Sequence, residues 1–392
     1  MTHAPIRLGV VGLGAVAQSV HLPLVRRRSD LFTIAAVTDI VPGLVKCVGD
    51  AFGVSESRRF SSLQELLDGA KLDALLICTG GSHREAVVAG LGRGLAILCE
   101  KPLAFTMEEI GAIRLAIPHG PPRLMVGYMK QYDPAVSRVV ELLEEIDDVR
   151  TIDISVLHPT GYSQLEFAHV LDGGPPDAVV LDRILRENAE VRRTAMGDVT
   201  DNCWKLYSGS LMSSLTHEMS ILRLISSPPT SIDYVDVWRR RSAHQRHETG
   251  RDEAALGSEP PSIRVAGLLD DEARFVMDWH YLNDFPAYRE TVRIIHGAGS
   301  LELAFPSPYL LHAPTVLTVR TECQGGESRT EFRSTAEAFE IELEAFAAMV
   351  IDGVPPQTGL AGAEADVRTS QAIMAAYAQR AGFDVGGEIG AL

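Results

Sequence analysis

Apolar runs alternate with helix-like segments from the N-terminus to Met129. Five runs are apolar enough to be buried strands: IRLGVVGLG, FTIAAVTD, LDALLICTG, LAILCE and RLMVGYM. Helical spacing fills the stretches between them, and two helices are predicted to begin with a capping box, Ser62 with Glu65 and Thr106 with Glu109. Strands that are apolar throughout and separated by helices are typical of a parallel sheet covered on both faces. The first part of the chain is therefore predicted to be an α/β domain.

Beyond Lys130 the pattern changes to consecutive strand-like runs. Helices are predicted over 134–146 and, at the end of the chain, over 336–351 and 360–381. Seven runs with looser alternation stand between them: VRTIDISVL, SIDYVDVW, SIRVAGLL, ARFVMDWHYL, YRETVRIIHG, SLELAF and TVLTVRTE. Consecutive strands with few intervening helices predict an antiparallel sheet. We expect an α+β C-terminal domain with a large, mainly antiparallel open sheet.

We place the domain boundary after Gly127, which gives domains over 1–127 and 128–392 and leaves the last helices free to pack back on the first domain. Two segments interrupt the second domain. Residues 162–205 look like an insertion. The stretch LDGGPPDAVV is rich in turn residues, and LDRILRENAEVRRTAM has a helical pattern. We expect this insertion to shape the pocket. Residues 242–261 are predicted to be flexible.

Composition and charge exclude several classes of protein. The formal charge of −16 on 392 residues disfavours nucleic-acid binding, and the basic cluster 238–247 is interpreted as a solvated loop. The chain lacks an apolar run of about 18 residues and a secretory leader pattern, so no membrane span is expected. Five cysteines without CxxC spacing indicate a reduced, cytoplasmic protein. His244 and His247 lack a convincing third ligand, so no metal is expected.

The stretch GLGAVA, residues 12–17, is a GxGxxA pattern that follows the first predicted strand and opens the first helix. In this context glycines permit a tight turn and the close approach of a pyrophosphate, which rests on the helix N-terminus. Asp39 ends the next strand, where an acid that binds a ribose 2′-hydroxyl is expected. Its charge favours NAD over NADP. The predicted cofactor contacts here are Gly12, Gly14, Ala15, Val16 and Asp39.

Two further motifs end the third and fourth predicted strands, CTGGSH and EKP. Ligands of open parallel sheets bind at this carboxyl edge. We therefore add Thr79, His83, Glu100 and Lys101 to the predicted cofactor contacts. His83 is explained equally well as a residue of the first turn of the next helix. From the residues alone, a Lys101 ammonium at the mouth of the crevice can hydrogen-bond a substrate oxygen and stabilise developing alkoxide charge.

Together these motifs resemble the Gfo/Idh/MocA oxidoreductase family. The resemblance rests on GxGxxA after strand one, an acid after strand two, T-x-x-x-H after strand three and EKP after strand four. The stretch VGYMKQYDPAV is also similar to the family's GF-x-R-R-[FY]-D-P pattern, most of all to its inositol dehydrogenase members. The resemblance covers the N-terminal domain well. In the C-terminal half it is limited to the architecture and one histidine motif. It implies a Rossmann fold and a catalytic lysine, which is Lys101 here.

The family's D-x-G-x-H-x-x-D motif has a divergent counterpart in SSLTHEMSIL. His217 matches the motif histidine and is the predicted general base at a helix start, since a histidine pKa near 6.5 suits proton removal from an alcohol. Ser213 and Ser220 replace the two acids, and Ser213 is a candidate substrate contact. Glu218 is adjacent to His217, but neighbours on a helix do not face each other. Lys130 and Gln131 occupy the two Arg positions of the GF-x-R-R-[FY]-D-P pattern. They are further candidate substrate contacts.

The sequence predicts an NAD-dependent oxidoreductase acting on a secondary alcohol of a sugar, a cyclitol or a sugar derivative. Hydride would pass to nicotinamide C4, Lys101 would polarise the oxygen and His217 would accept the proton. Two alternatives stay open. One is a biosynthetic NAD(P)H-dependent sugar ketoreductase, and the other is a non-catalytic dinucleotide-binding sensor on the same fold. The resemblance also implies a homodimer or homotetramer that assembles through the outer face of the antiparallel sheet.

Overall fold

Six parallel strands form the first sheet of the computed structural model, in the order β3-β2-β1-β4-β5-β6. The structure describes residues 3–160, 164–239, 260–270, 272–283 and 285–392. The strands are β1 Ile6–Val11, β2 Phe32–Thr38, β3 Arg59–Phe60, β4 Ala74–Ile77, β5 Ala96–Glu100 and β6 Leu124–Gly127. This is the strand order of the dinucleotide-binding Rossmann fold. The predicted parallel α/β domain is confirmed, and the two-residue β3 is an addition to the five predicted strands.

Five helices cover this sheet: α1 Leu22–Arg27, α2 Pro42–Ala51, α3 Leu63–Gly69, α4 Arg84–Gly92 and α5 Met107–Ala116. A π-helical turn, Ala17–His21, leads into α1. Both predicted N-caps are confirmed, because Ser62 Oγ accepts from the Glu65 amide at 3.2 Å and Thr106 Oγ1 accepts from the Glu109 amide at 3.1 Å. The Glu65 and Glu109 side chains accept from the amides of Ser61 and Phe105, one residue ahead of each N-cap. The local sequence therefore fixes the start of α3 and of α5.

The second sheet has eight strands in the order β14-β13-β12-β11-β7-β10-β9-β8. They are β7 Val149–His158, β8 Ser231–Trp238, β9 Ser262–Leu268, β10 Arg274–Tyr281, β11 Arg289–His296, β12 Gly299–Phe305, β13 Val316–Cys323 and β14 Gly326–Arg333. Only the pair β7 and β10 is parallel among these strands, so the expectation of a mainly antiparallel sheet is confirmed. The outer face carries ion pairs such as Arg264 with Asp278 and Arg293 with Asp153.

One helical run carries the histidine motif across the inner face of this sheet. It consists of α8 Asp201–Lys205, a ten-residue π-helix Leu206–Leu215 and α9 Thr216–Ile225. His217, predicted at a helix start, is the second residue of α9, and the π-helix leads into α9 without a break. Such π segments occur frequently at functional sites.

The remaining helices connect the two sheets. They are α6 Pro134–Leu143, α7 Ala178–Met196, α10 Ala338–Asp352 and α11 Leu360–Ala381. Helix α10 packs on the first domain, where Phe346 stacks on Phe32 of β2 with ring centroids 6.3 Å apart. The same hydrophobic cluster contains Leu8 and Leu343. In the part of the chain that the structure describes, no helix combines the length and the apolar character needed to cross a bilayer.

Candidate active site

A cavity of about 470 Å³ lies where the carboxyl end of β5 meets the second domain. Lys101 enters from the first domain, Ser213 and His217 from the helical run, and Trp279, Tyr281 and Tyr288 from the second sheet. Lys101, Ser213 and His217 were singled out from motifs more than 100 residues apart in sequence. The fold brings these three predicted residues together in the wall of one cavity.

Lys101 spans the two domains at the cavity. Its ammonium donates a hydrogen bond of 2.7 Å to the carbonyl oxygen of Ser213, and its peptide bond to Pro102 is cis. Burial lowers the pKa of Lys101, although the nearby Glu100 carboxylate opposes this shift. The ammonium is thus held at the cavity by one carbonyl and keeps donor capacity for a second oxygen.

His217 lies beside two cations in the same wall. Burial lowers the pKa of His217 well below its usual value, and the charges of Lys101 and Lys130 lower it further. Its Nδ1 is buried and has no hydrogen-bond partner among the described residues. The imidazole is therefore neutral at neutral pH and can accept a hydrogen bond or a proton.

Lys130 is buried behind the cavity wall. Its ammonium lies 2.9 Å from Glu218 Oε1 and 2.5 Å from Glu290 Oε2, and 5.3 Å from the centre of the Phe305 ring. Burial lowers the pKa of Lys130, but the two carboxylates outweigh this effect and raise it. The ammonium is thus committed to protein groups, and contact with a substrate would require one of these ion pairs to break.

Gln131 is also buried and bonded to protein groups. Its side-chain amide donates to the Ser220 carbonyl at 2.9 Å, and Gln357 donates to the Gln131 carbonyl at 3.3 Å. The predicted substrate contacts of Lys130 and Gln131 stay predictions. In this structure their bonds instead fix the segment after β6 against α9, which carries His217.

Glu218 and Tyr288 line the cavity, and the sequence motifs identified neither of them. Tyr288 donates through its hydroxyl to Glu290 Oε2 at 2.6 Å. Burial raises the pKa of Glu218 to about 7, and Glu290 adds to this rise against the lowering effect of Lys130. Adjacent residues of a helix do not face each other, yet both His217 and Glu218 line the cavity.

The GxGxxA turn has the shape that a dinucleotide requires. Gly12 has φ = 91°, and a Cβ there would stand 2.7 Å from the backbone of Cys78 and Thr79. A Cβ at Gly14 would meet no atom within 4 Å, so this backbone faces open space. The turn opens the helical run that begins at Ala15 and Val16. These residues therefore fit a pyrophosphate that approaches the helix N-terminus.

Asp39 reaches back to this turn from the end of β2. Its Oδ2 accepts a hydrogen bond of 2.6 Å from the Leu13 amide, and its Oδ1 accepts one of 2.8 Å from the Val41 amide. The carboxylate is thus fixed at the edge of the crevice, at the position where a ribose hydroxyl would find an acceptor.

His83 and Glu100 support the loops around the crevice. The ring nitrogens of His83 lie 2.7 Å from the carbonyl oxygens of Thr79 and Pro102, so His83 bridges the loops that follow β4 and β5. Glu100 Oε1 lies 2.7 Å from His21 Nε2 in the first helical run. Direct cofactor contact by His83, Glu100 and Thr79 stays a prediction, and the observed bonds give His83 and Glu100 a role in holding the loops.

Part of the insertion lies against the first domain near Asp39. We call residues 171–177 the strap. Leu171 exchanges two backbone hydrogen bonds with the Gln18 side chain, at 2.8 and 3.2 Å, and the Asp177 amide donates to the Ile40 carbonyl at 2.9 Å. A Cβ at Gly43 would stand 2.0 Å from the Gly173 carbonyl oxygen. The insertion therefore contacts the first domain beside Asp39 and reaches the cavity at Asn202 and Lys205.

Potential metal ligands do not cluster in this region. Within the described ranges, no group of three or more histidine, cysteine, aspartate or glutamate residues could hold a metal ion. The candidate pair His244 and His247 lies outside the described residues.

A comparison of the sequence with protein families agrees with these motifs. The family model described as an oxidoreductase family with an NAD-binding Rossmann fold matches residues 6–128. Residues 6–128 thus match the Gfo/Idh/MocA oxidoreductase family. The matched residues contain the whole first sheet and three of the motifs on which the family resemblance rests, GLGAVA, CTGGSH and EKP.

Curated relatives of this protein include inositol dehydrogenases. An inositol 2-dehydrogenase/D-chiro-inositol 3-dehydrogenase of Shouchella clausii is 29% identical over 144 residues, which are 36% of this chain and 40% of the relative. An inositol 2-dehydrogenase of Ralstonia nicotianae is 24% identical over 267 residues, 66% of each chain. The matched stretches thus span between two fifths and two thirds of these relatives.

Solved structures of other proteins share both domains. The crystal structure of an aldose-aldose oxidoreductase from Caulobacter crescentus aligns with a TM-score of 0.69 over 96% of this chain and 98% of that chain, at 19% identity. At this identity the alignment establishes a common fold. The fold class expected for both domains is therefore confirmed.

Proposed function

We propose that this protein is an NAD-dependent oxidoreductase that oxidises a secondary alcohol of a sugar, a cyclitol or a close derivative. The observation that carries the proposal is the meeting of Lys101 and His217 in the wall of one cavity, at the carboxyl edge of a dinucleotide-binding sheet. Open α/β sheets bind their ligands at this edge. The names of the inositol dehydrogenase relatives support a small polyol as the substrate.

The residues of the cavity divide the chemistry of alcohol oxidation between them. A bound nicotinamide would supply the hydride acceptor. Lys101 would donate a hydrogen bond to the substrate oxygen and stabilise negative charge as the O–H bond breaks. The neutral His217 would act as the base for the hydroxyl proton, since its lowered pKa keeps it unprotonated at neutral pH. The aromatic side chains Trp279 and Tyr281 would pack against the carbon skeleton of the substrate.

Asp39 supports NAD as the physiological cofactor. Its carboxylate is held at the crevice by two backbone amides and would accept a hydrogen bond from a ribose 2′-hydroxyl. The same charge would repel the 2′-phosphate of NADP. The stretch that follows, IVPG, contains no Arg or Lys that would reverse this preference.

A screen of the purified protein tests the proposal. NAD⁺ and NADP⁺ would each be incubated with inositols, sugars and anhydrosugars, and the reverse reaction would be assayed with the corresponding ketones and NADH. We expect reduction of NAD⁺ by at least one polyol and slower reduction of NADP⁺. Tight NAD binding in calorimetry without turnover of any polyol or ketone would contradict the proposed activity and favour a non-catalytic dinucleotide-binding protein.

A further inference from the structure

Three buried charged side chains form a cluster at the cavity wall, where Glu218 lines the cavity and Lys130 and Glu290 lie behind it. The side chains of Lys130, Glu218 and Glu290 are 7%, 3% and 0% exposed, and the ammonium lies between the two carboxylates. If all three were ionised, the cluster would hold one positive and two negative charges. A net buried charge is costly, and two carboxylates that share one site raise the pKa of one of them. The cluster is therefore expected to take up one proton.

The hydrogen bonds indicate which carboxylate takes the proton. Glu290 Oε2 accepts hydrogen bonds from both the Lys130 ammonium and the Tyr288 hydroxyl. Glu218 Oε1 accepts a hydrogen bond from the Lys130 ammonium. Glu290 Oε1 has no hydrogen-bond partner among the described residues. It can therefore accept a hydrogen bond from a protonated Glu218 carboxyl.

Only Glu218 of this carboxylate pair lines the cavity, and it is the single carboxylate among the described lining residues. The titratable groups near it come from five elements or their flanks: Lys101, Lys130, His158, His217, Tyr288 and Glu290. His217 is a poor resting place for a proton, because the charges of Lys101 and Lys130 oppose an imidazolium. A proton taken from a substrate therefore needs another group on which to settle.

We propose that Glu218 shares one proton with Glu290 beside Lys130 and is the group on which the substrate hydroxyl proton comes to rest. This inference rests on the proposed function. In alcohol oxidation a bound nicotinamide would accept the carbinol hydride. The substrate O–H bond would break as His217 takes the proton, and His217 would pass it to the Glu218 carboxylate, where the new O–H bond forms. In the reverse direction Glu218 returns the same proton to the reduced oxygen.

The first test measures protonation without a substrate. Infrared titration of the protein should show a carboxylic acid C=O band that disappears as the pH rises through neutrality. The band should be missing in Glu218→Gln. Glu342→Gln is a matched control, because Glu342 is a buried carboxyl with a raised pKa that packs beside the first domain. This control should keep the band that titrates near neutrality, and persistence of that band in Glu218→Gln would overturn the inference.

The second test measures the pH dependence of alcohol oxidation. In the native enzyme kcat/KM should rise as Glu218 loses its proton near neutral pH. Glu218→Gln should lose this limb of the profile and about 10²-fold or more in kcat, as expected for loss of a proton acceptor, with NAD binding unchanged. Glu218→Asp should restore part of the rate and of the pH dependence. A purely structural role would lower stability in Glu218→Gln but leave the pH profile as it is.

Glu290→Gln provides an independent variant in case Glu218→Gln does not fold. Removing the Glu290 charge should lower the pKa of Glu218, so both the infrared titration and the kinetic limb should move to lower pH. A movement to higher pH, or none, would contradict the shared proton. If the protein oxidises no polyol but shows an infrared band that titrates near neutral pH and depends on Glu218, the proposed function alone is refuted. If Glu218→Gln oxidises a polyol with the native pH profile, this inference alone is refuted.

Discussion

The Lys101 ammonium donates a 2.7 Å hydrogen bond to the carbonyl oxygen of Ser213, and this bond joins the end of β5 to the π-helical segment of the second domain. A lysine fixed in this way needs only a small change in direction to reach an oxygen in the cavity. Its partner is a backbone carbonyl and not a carboxylate, so its positive charge stays available for a developing oxyanion.

Loss of this ammonium should affect turnover more than cofactor binding. We expect Lys101→Ala to lower kcat by about 10²–10³-fold, the range for removal of one donor to a developing oxyanion. The dissociation constant for NAD, measured by calorimetry, should stay nearly unchanged. Lys71→Ala removes an exposed lysine of the same domain and should retain native kinetics. Full turnover by Lys101→Ala would refute the catalytic role.

Cofactor preference should depend on Asp39. Asp39→Ser removes the charge and the acceptor at the crevice, so NAD binding should weaken about tenfold or more, as expected for loss of about 1.5–3 kcal/mol from a charged hydrogen bond. NADP binding should weaken less or improve, because the repulsion of its 2′-phosphate disappears. Calorimetric titration with both dinucleotides checks this ratio. An equal loss of affinity for both would instead indicate that Asp39 acts only by holding the Leu13 amide.

The stability of the protein should fall on acidification because of His217. Its pKa is lowered in the folded state by burial and by the two lysines, whereas the unfolded imidazole has its ordinary value near 6.5. Protons therefore bind the unfolded chain first, and the contribution of neutral His217 is lost as the pH falls below 6.5, by up to about 1.4 kcal/mol per pH unit. Urea unfolding at several pH values should show a smaller acid loss in His217→Gln than in the native protein.

Asp366 should be among the most sensitive buried positions for stability. It accepts hydrogen bonds from the Tyr128 hydroxyl at 2.5 Å and Thr216 Oγ1 at 3.1 Å, and it pairs with Arg223. Asp366→Ala leaves these donors without their acceptor, and we expect a loss of about 3–5 kcal/mol in unfolding free energy. Asp147→Ala, at an exposed loop position, should change the same quantity by less than about 0.5 kcal/mol. A similar loss in both variants would argue against this network.

Contact between the strap and α2 should depend on the glycine at position 43. Gly43→Ala places a Cβ 2.0 Å from the Gly173 carbonyl oxygen, so the strap must move away. Hydrogen exchange of the Asp177 amide, which donates to the Ile40 carbonyl, should then accelerate. Gly111→Ala is the matched control, because a Cβ there meets no atom within 4 Å. Unchanged protection of the Asp177 amide in Gly43→Ala would show that the strap tolerates the added methyl group.

Local motifs were sufficient to predict much of the first domain. GLGAVA, Asp39 and EKP could be placed because the position of each relative to a strand is encoded within a few residues. The strands β3 and β14 were missed for physical reasons. Strand β3 has two residues, too few for a pattern, and GESRTEFR of β14 is polar on both faces because it forms an exposed edge of the sheet.

The charged cluster behind the cavity could not be found from local sequence. Lys130, Glu218 and Glu290 are separated by 88 and 72 positions along the chain, and each is individually typical of an exposed residue. Their proximity follows from the packing of α9 between the end of β6 and β11. The change from π to α geometry ahead of His217 is equally invisible to a pattern that assumes one helical period.

The strap belongs to the second domain but covers part of the surface of the first domain. Gly43 and Gly173 lie in different domains, and each lacks the side chain that would separate the two backbones. A graft of residues 1–127 onto the second domain of a relative would leave the surface around Ile40 and Gly43 uncovered, or covered by a loop of a different shape. Chimeras that exchange cofactor preference or substrate range should therefore transfer both glycine-containing segments together.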